Sequence, residues 1–285
     1  MPTVETWEPS ALELDRRRYR KKSLRRSVLV SIASTLVFAA IIAIALINSP
    51  GWDAVKSQFF NVEIGTKYFG AILKGLWLNI QVLFFASIGV AIFGTLLAVL
   101  RSLRGPIFFP VRALAAAYTD LFRGVPLIIV LYLVGLGIPA LGIFPRLPNY
   151  VWGTIAIVLT YSAYVSEVLR AGMEAVHPSQ RIAARSLGLS HAQTLRLVVI
   201  PQGLRKVTPA LMNDFVSMQK DVGLISVLGA VDAVRAAQIA TSVTYNFTPY
   251  VVAALLFVAI SFPMIRLTDR VSARMAGREQ NSGTV

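Results

Sequence analysis

Apolar residues along this chain gather into blocks of bilayer length, separated by short polar stretches. A helix that crosses the hydrocarbon core needs about 20 consecutive apolar residues. Strands of a membrane barrel would alternate apolar and polar over about 10 residues instead. The blocks therefore predict an all-α, polytopic transmembrane helical bundle. Six spans are predicted: Val28 to Ile47, Leu76 to Leu100, Pro126 to Ile138 with a possible earlier start at Val111, Trp152 to Leu169, Pro209 to Leu228, and Tyr250 to Leu267. The first is ended by Asn48-Ser49-Pro50-Gly51, a strong breaker, and the second by Arg101. The chain divides accordingly into a basic N-terminal tail (1–27), a first span (28–47), a loop (48–70), a transmembrane domain (71–270) with a long polar loop at 174–203, and a C-terminal tail (271–285).

Composition agrees with this pattern. Only 15% of the residues are charged, against about 25% in a soluble domain. The net charge of +14 fits either nucleic-acid binding or the positive-inside bias of a membrane protein, and its distribution decides. Arg16, Arg17, Arg18, Arg20, Lys21, Lys22, Arg25 and Arg26 precede the first span. Arg101, Arg104, Arg112 and Arg123 lie between the second and third, and Arg170, Arg181, Arg185, Arg196, Arg205 and Lys206 between the fourth and fifth. Arg266, Arg270, Arg274 and Arg278 follow the sixth. The opposite side has Lys56, Lys67, Lys74, Arg146 and Arg235. This bias predicts a multi-pass protein of the bacterial inner membrane with both termini and the long loop in the cytoplasm. No basic soluble domain remains to hold nucleic acid. The long basic run and the absence of a small-residue cleavage site make the first block a retained span, preceded by a disordered stretch from Met1 to Asp15. With no cysteine and two histidines, disulfides and Cys- or His-rich metal sites are excluded.

The long loop carries clear punctuation. Pro178-Ser179 suits a helix start with Ser179 as N-cap. A short helix follows, and Gly188 is placed to end it in the left-handed conformation. Ser190 can cap a second helix with Gln193 as its capping-box partner, and Pro201 marks the next boundary. Ile182, Leu187 and Leu189 are apolar anchors among arginines. Such a helix suits a groove on a soluble partner, and equally the surface of a bilayer.

Ionisable groups at membrane depth are costly, about 3 kcal/mol each on insertion scales. Glu167 stands three residues before Arg170, on one helix face. The two form an internal ion pair, or else Glu167 faces the path and senses a cationic substrate. Lys220 and Asp221 are adjacent and so point to different partners. They read as an interhelical clamp or as gate and substrate contacts, with Val222-Gly223 loosening the helix. Asn213, Asp214 and Gln219, with Asn79 and Gln81, are further candidates for a polar interior, Asn79 equally for a helix–helix hydrogen bond. Gly89, Gly94, Gly135 and Gly137 permit close helix packing, and Trp77 and Trp152 suit interfacial anchors.

Motifs add a resemblance. Ala183-Ala184, then Gly188, then Val198-Val199-Ile200-Pro201 resembles the EAA loop of ABC-importer permeases, with Ile182 where that family usually has Glu. Phe122-Arg123-Gly124-Val125-Pro126-Leu127 resembles the Phe-Arg-Gly-Thr-Pro-Leu signature of polar amino-acid permeases. Tyr161-Ser162-Ala163-Tyr164 with Glu167 and Arg170 is similar to their fourth-span signature. Pro201-Gln202, Leu204-Arg205, Pro209 and Asn213 are similar to the segment leading into span five, and Lys220-Asp221-Val222-Gly223-Leu224 to Lys-Asp-Thr-Ser-Leu. The order of the matches is the family's order.

This resemblance implies a MetI-like permease core of five helices plus one N-terminal helix. It implies a second permease subunit, identical or homologous, two ABC ATPase subunits, and an extracytoplasmic solute-binding protein that delivers a polar amino acid or an opine-like relative. Ile182, Ala183, Ala184, Arg185, Leu187, Gly188, Leu189 and Ser190 would couple to the ATPases, which bind ATP and Mg. Glu167, Asn213, Gln219, Lys220 and Asp221 are candidates for the substrate path. The sequence holds no Gly-x4-Gly-Lys-Ser/Thr loop, so the chain itself is read as a transport subunit without a nucleotide site, catalytic residues, metal or cofactor. An ion-gradient-driven secondary transporter is the alternative, but it predicts an internal repeat with matching broken helices, and none is evident. A membrane-embedded enzyme would need His-Glu-x-x-His or paired acids on neighbouring spans, whereas both histidines fall in the loop.

Overall fold

A computed structural model describes residues 10–103 and 105–282, residues 276–282 by backbone alone. Residues 1–9, Arg104 and the side chain of Arg278 lie outside the described residues. All regular structure among the described residues is helical, and they fall into two compact units divided between Ser57 and Gln58.

The first unit is mainly α1 (Ala11–Ile47). Ser10 caps it by accepting a hydrogen bond from the Glu13 N–H, and Glu13 pairs with Arg17 at 3.0 Å. Cap and ion pair extend the helix through Ala11–Asp15, a stretch predicted to be disordered. Asn48 ends it. The segment 48–70, predicted as a loop, carries α2 (Trp52–Phe59) and the first turns of α3 (Val62–Ser102). Asn61 caps α3 through its side-chain oxygen and the Ile64 N–H. At 41 residues, α3 is about 60 Å long, twice the hydrocarbon thickness.

The predicted third span is broken. A short 3₁₀ turn (Pro106–Phe108) leads into α4 (Phe109–Gly124), which meets the next segment at 108°. That segment is α5 (Leu127–Tyr132), a π turn (Leu133–Gly137) and α6 (Ile138–Ala140). Pro126 sits at the elbow, where it has no N–H to continue the ladder and forces Val125 to extended backbone. The fourth span is α7 (Asn149–Glu174). The polar excursion α8 (Pro178–Ser186) and α9 (His191–Thr194) follows, then a π turn (Leu195–Val199) and α10 (Ile200–Asp221). Pro201 does not break this run. The wider π turn receives the carbonyls that the proline cannot serve. From Val222 to Leu228 the winding tightens to 3₁₀, and Gly229 ends it at φ +83°. A 50° bend leads into α11 (Ala233–Thr244). This helix was not predicted: 12 alanine-rich residues are too short to span and only weakly apolar. Finally α12 (Thr248–Ser282) runs through most of the predicted C-terminal tail. Among the described residues four helices are long and apolar enough to cross a membrane, or up to six if each bent pair counts as one span.

Within the second unit α3 and α7 run parallel and α10 antiparallel to them. Val82, Ala86, Val130, Leu131, Ile157, Val222 and Ile225 form the main core between α3, α5, α7 and the 3₁₀ run. A second cluster of Ile72, Leu76, Ala233, Ala237 and Ala253 joins α3, α11 and α12 at the end far from α8. Large apolar side chains such as Phe84, Phe85 and Ile92 face outward on α3, as lipid requires. Lipid tails give apolar side chains no reason to cluster, so association rests on close packing and internal hydrogen bonds. The α3–α11 joint has both. A Cβ on Gly75 would lie 2.4 Å from the Asp232 carbonyl carbon. Beside it Asn79 donates to the Val222 carbonyl at 3.1 Å and to Asp232 at 2.9 Å, and accepts from the Ala233 N–H at 3.1 Å. Asp232, fully buried, also caps α11 through the Arg235 N–H.

Replacing Gly75→Val should therefore force α11 off α3 and destabilise the bundle by about 3 kcal/mol, read as a lowered midpoint of thermal unfolding in detergent.

Candidate functional site

Two sets of residues carry the candidate chemistry: the α8–α9 excursion, and the polar groups of the bundle beneath it.

The excursion stands on a tight crossing of α7 and α10. A Cβ on Gly172 would lie 2.8 Å from the Gly203 carbonyl oxygen, and one on Gly203 the same distance from that of Gly172. Two cations then secure the end of α7. Lys206 donates to the Ala175 carbonyl at 2.8 Å and Arg181 to that of Met173 at 2.5 Å. Positive charge at a helix C-terminus meets both orphan carbonyls and the helix dipole.

On this base α8 starts with His177 as its N-cap, replacing the predicted Ser179. The imidazole Nδ1 accepts from the Ser179 N–H at 3.2 Å, and Pro178 takes the first helical position, where no N–H is needed. The helix ends in a Schellman turn: the Leu189 N–H donates to the Ala184 carbonyl and the Gly188 N–H to that of Arg185. Gly188 has φ +83°, which an L side chain rarely adopts. Ser190 and Gln193 form a reciprocal capping box at the start of α9, at 2.8 and 3.3 Å. Of the predicted coupling residues, Ala184 is buried and Leu189 half-buried. Ala183, Arg185, Gly188 and Ser190 are exposed, and Ile182 and Leu187 project with 65% and 83% of their surface free. Two bulky aliphatic side chains thus stand out from the bundle beside the capped ends of α8 and α9, an exposure that is uncommon unless something covers it.

The candidate path residues do not converge. Glu167 accepts from Arg101 at 2.7 Å and from Arg170, and lies 3.8 Å from Arg123. Arg170 in turn reaches Glu174. Glu167 thereby ties the ends of α3, α4 and α7 together. Its pairing with Arg101 has no local sequence signal, because the partner is 66 positions away. Asp221 accepts from the Tyr161 hydroxyl at 2.7 Å. Gln219 is buried and accepts from the Ser261 hydroxyl. Asn213 and Lys220 are exposed on α10. The sequence reading left out Asp232, although an Asp before an alanine-rich run is a recognisable N-cap signal. No group of three or more metal-ligating side chains occurs among the described residues.

The sequence pattern described as "binding-protein-dependent transport system inner membrane component" matches residues 106–277, well over half of the chain. The chain belongs to this family. Among its relatives is the arginine transport system permease protein ArtQ of Bacillus subtilis, 32% identical over 65% of this chain and 84% of that protein. A probable amino-acid ABC transporter permease protein of Sinorhizobium fredii is 37% identical over 62% of this chain and 74% of its own length. A solved structure titled as an amino acid ABC transporter with histidines superposes with a TM-score of 0.67 at 34% identity, over 73% of this chain and 96% of that one. The family match begins at Pro106 and takes in α4 to α11 and most of α12, so the excursion and its glycine crossing belong to the shared domain. The fold predicted from the sequence, an all-helical permease bundle, is the one observed.

Substituting Glu167→Gln leaves Arg101, only 12% exposed, without its carboxylate. Stripping one partner from a largely buried pair costs about 3 kcal/mol, less where water reaches it. The variant should unfold at a lower temperature, and Arg101→Gln made on top of it should recover part of the loss.

Proposed function

We propose that this chain is the membrane-spanning permease subunit of an ATP-driven ABC importer that brings a polar amino acid, or an opine-like derivative, into the cytoplasm. The observation that carries this reading is the projecting α8, with Ile182 and Leu187 held out of the bundle by a Schellman turn, in a chain of this family. A short rigid helix with aliphatic anchors is the shape a groove on a soluble ATPase accepts. The names of the relatives support an amino-acid cargo.

The division of labour follows. A second permease completes the passage, two ATPase subunits hold ATP and Mg and grip the α8 loops, and a solute-binding protein delivers the cargo on the far face. The excess of basic residues on the α8 side supports a bacterial inner-membrane setting with both termini cytoplasmic.

For the path through the protomer, the polar groups that are already engaged are poor substrate contacts. Glu167, Gln219 and Asp221 hold helices together. A cleft of ≈ 270 Å³ between α3, α7 and α10 is better suited. Asp214 reaches it, with one carboxylate oxygen shielded from solvent and without a hydrogen-bond partner among the described residues. An ammonium group of the cargo supplies the missing donor.

Two measurements test this reading. Reconstituted with its partner subunits and solute-binding protein, the chain should support ATP-dependent amino-acid uptake. Leu187→Asp should abolish both ATPase co-purification and uptake while the bundle stays folded. Uptake driven by an ion gradient without ATP would refute the importer reading. For the path, Asp214→Asn should raise KM for uptake about tenfold with little change in ATPase association; an unchanged KM removes Asp214 from the passage.

A further inference from the structure

The α8 surface has a chemistry of its own. From Ala175 to Asn213 the chain contains no acidic residue, but it holds Arg181, Arg185, Arg196, Arg205 and Lys206. Beside the Ile182 anchor, α8 and α9 enclose an open hollow of ≈ 620 Å³. Its polar lining is Arg181, Arg185 and His191 with the hydroxyl residues Ser186 and Thr194, and Ile182, Leu195 and Val199 are its apolar lining. Arg185 is exposed and makes no ion pair with a described residue. The hollow therefore offers nitrogen donors around an apolar floor and no carboxylate of its own.

We infer that this hollow receives a carboxylate side chain of the ATPase subunit, so that the chain selects an ATPase whose docking groove is acidic at its rim. The inference rests on the importer reading above and specifies the partner's chemistry. A glutamate or aspartate entering the hollow lays its methylene stem on Ile182 and Leu195 and presents its two oxygens to the planar donor fork of Arg185, the strongest pairing available to either group. Leu187 fills an apolar hole alongside. The aliphatic knob supplies contact area, and the cations supply rate and selectivity, because unlike charges steer encounter while a basic groove is repelled. A bilayer surface is the competing claimant for a cationic helix. It is disfavoured because Ile182 lines a hollow that a flat surface leaves unfilled.

The test uses the full chain in lipid nanodiscs with its own ATPase subunits, and reads their association by pull-down and by stimulated ATP hydrolysis. Arg185→Glu should weaken association at least about tenfold, and Arg185→Gln by less. Wild-type association should weaken as KCl rises from about 50 to about 500 mM, since salt screens exposed charges. Reversing one acidic residue on the ATPase rim to lysine should restore the Arg185→Glu variant. Unfolding temperatures of the variants equal to wild type exclude a folding defect. Association that ignores both Arg185→Glu and salt overturns the inference while leaving the importer reading intact, because Leu187→Asp would still detach the ATPase. A defect that follows the anionic-lipid content of the nanodisc, independent of the ATPase, also overturns it and assigns the hollow to the membrane surface. Failure of the wild-type chain to bind the ATPase at all refutes the importer reading itself.

Discussion

The contact on which the α8 region depends is the crossing of α7 and α10 at Gly172 and Gly203. Two backbones meet there with no room for a single methyl group between them. A bilayer gives helices little apolar incentive to associate, so closeness of approach substitutes for it. The crossing fixes where α7 stops and α10 begins, and the chain between them must leave the bundle and return within a short span. Lys206 and Arg181 then occupy the exposed carbonyls of α7. A polar excursion is thereby attached to an apolar body through two of its helices at once.

The same economy governs charge inside the bundle. Asp232 is enclosed by Asn79 and backbone N–H groups, and Glu167 by arginines from three helices. Each joins segments that are far apart in sequence, and each lies at an opposite end of the unit. A polar group that must be satisfied by specific distant partners fixes register better than apolar contact does. The bundle is held at both ends by such joints, with glycine-spaced helices between them.

Much of this was legible in the sequence because it follows from local rules. Block length gave the spans, and serine with glutamine three positions on marked the capping box at Ser190. Glycine at the end of a short helical stretch marked the left-handed turn at Gly188. Other features depend on partners that no local rule reveals. Arg101 reads as a topological charge until α7 is placed beside it, and Asp221 shows no sign of Tyr161. The α11 helix escaped because its alanine face is apolar only in the company of α3 and α12. His177 displaced Ser179 as the cap because Pro178 suits the first helical position and an imidazole nitrogen serves as well as a hydroxyl. The 3₁₀ winding after Asp221 fits a sequence in which glycine weakens the helix at Gly223.

The π turn at Leu195–Val199 carries a consequence for how the excursion is aimed. A π turn holds one residue more than an α turn, and each added residue rotates everything upstream by about 100° around the helix axis. The direction in which α9, and with it α8, faces relative to α10 is therefore set by a count of residues rather than by any one side chain. An insertion or deletion of a single position here would turn α9 and α8 about the axis of α10 and break the Arg181–Met173 bond that ties α8 to α7. Length conservation in this stretch would then matter more than the identity of the residues that fill it.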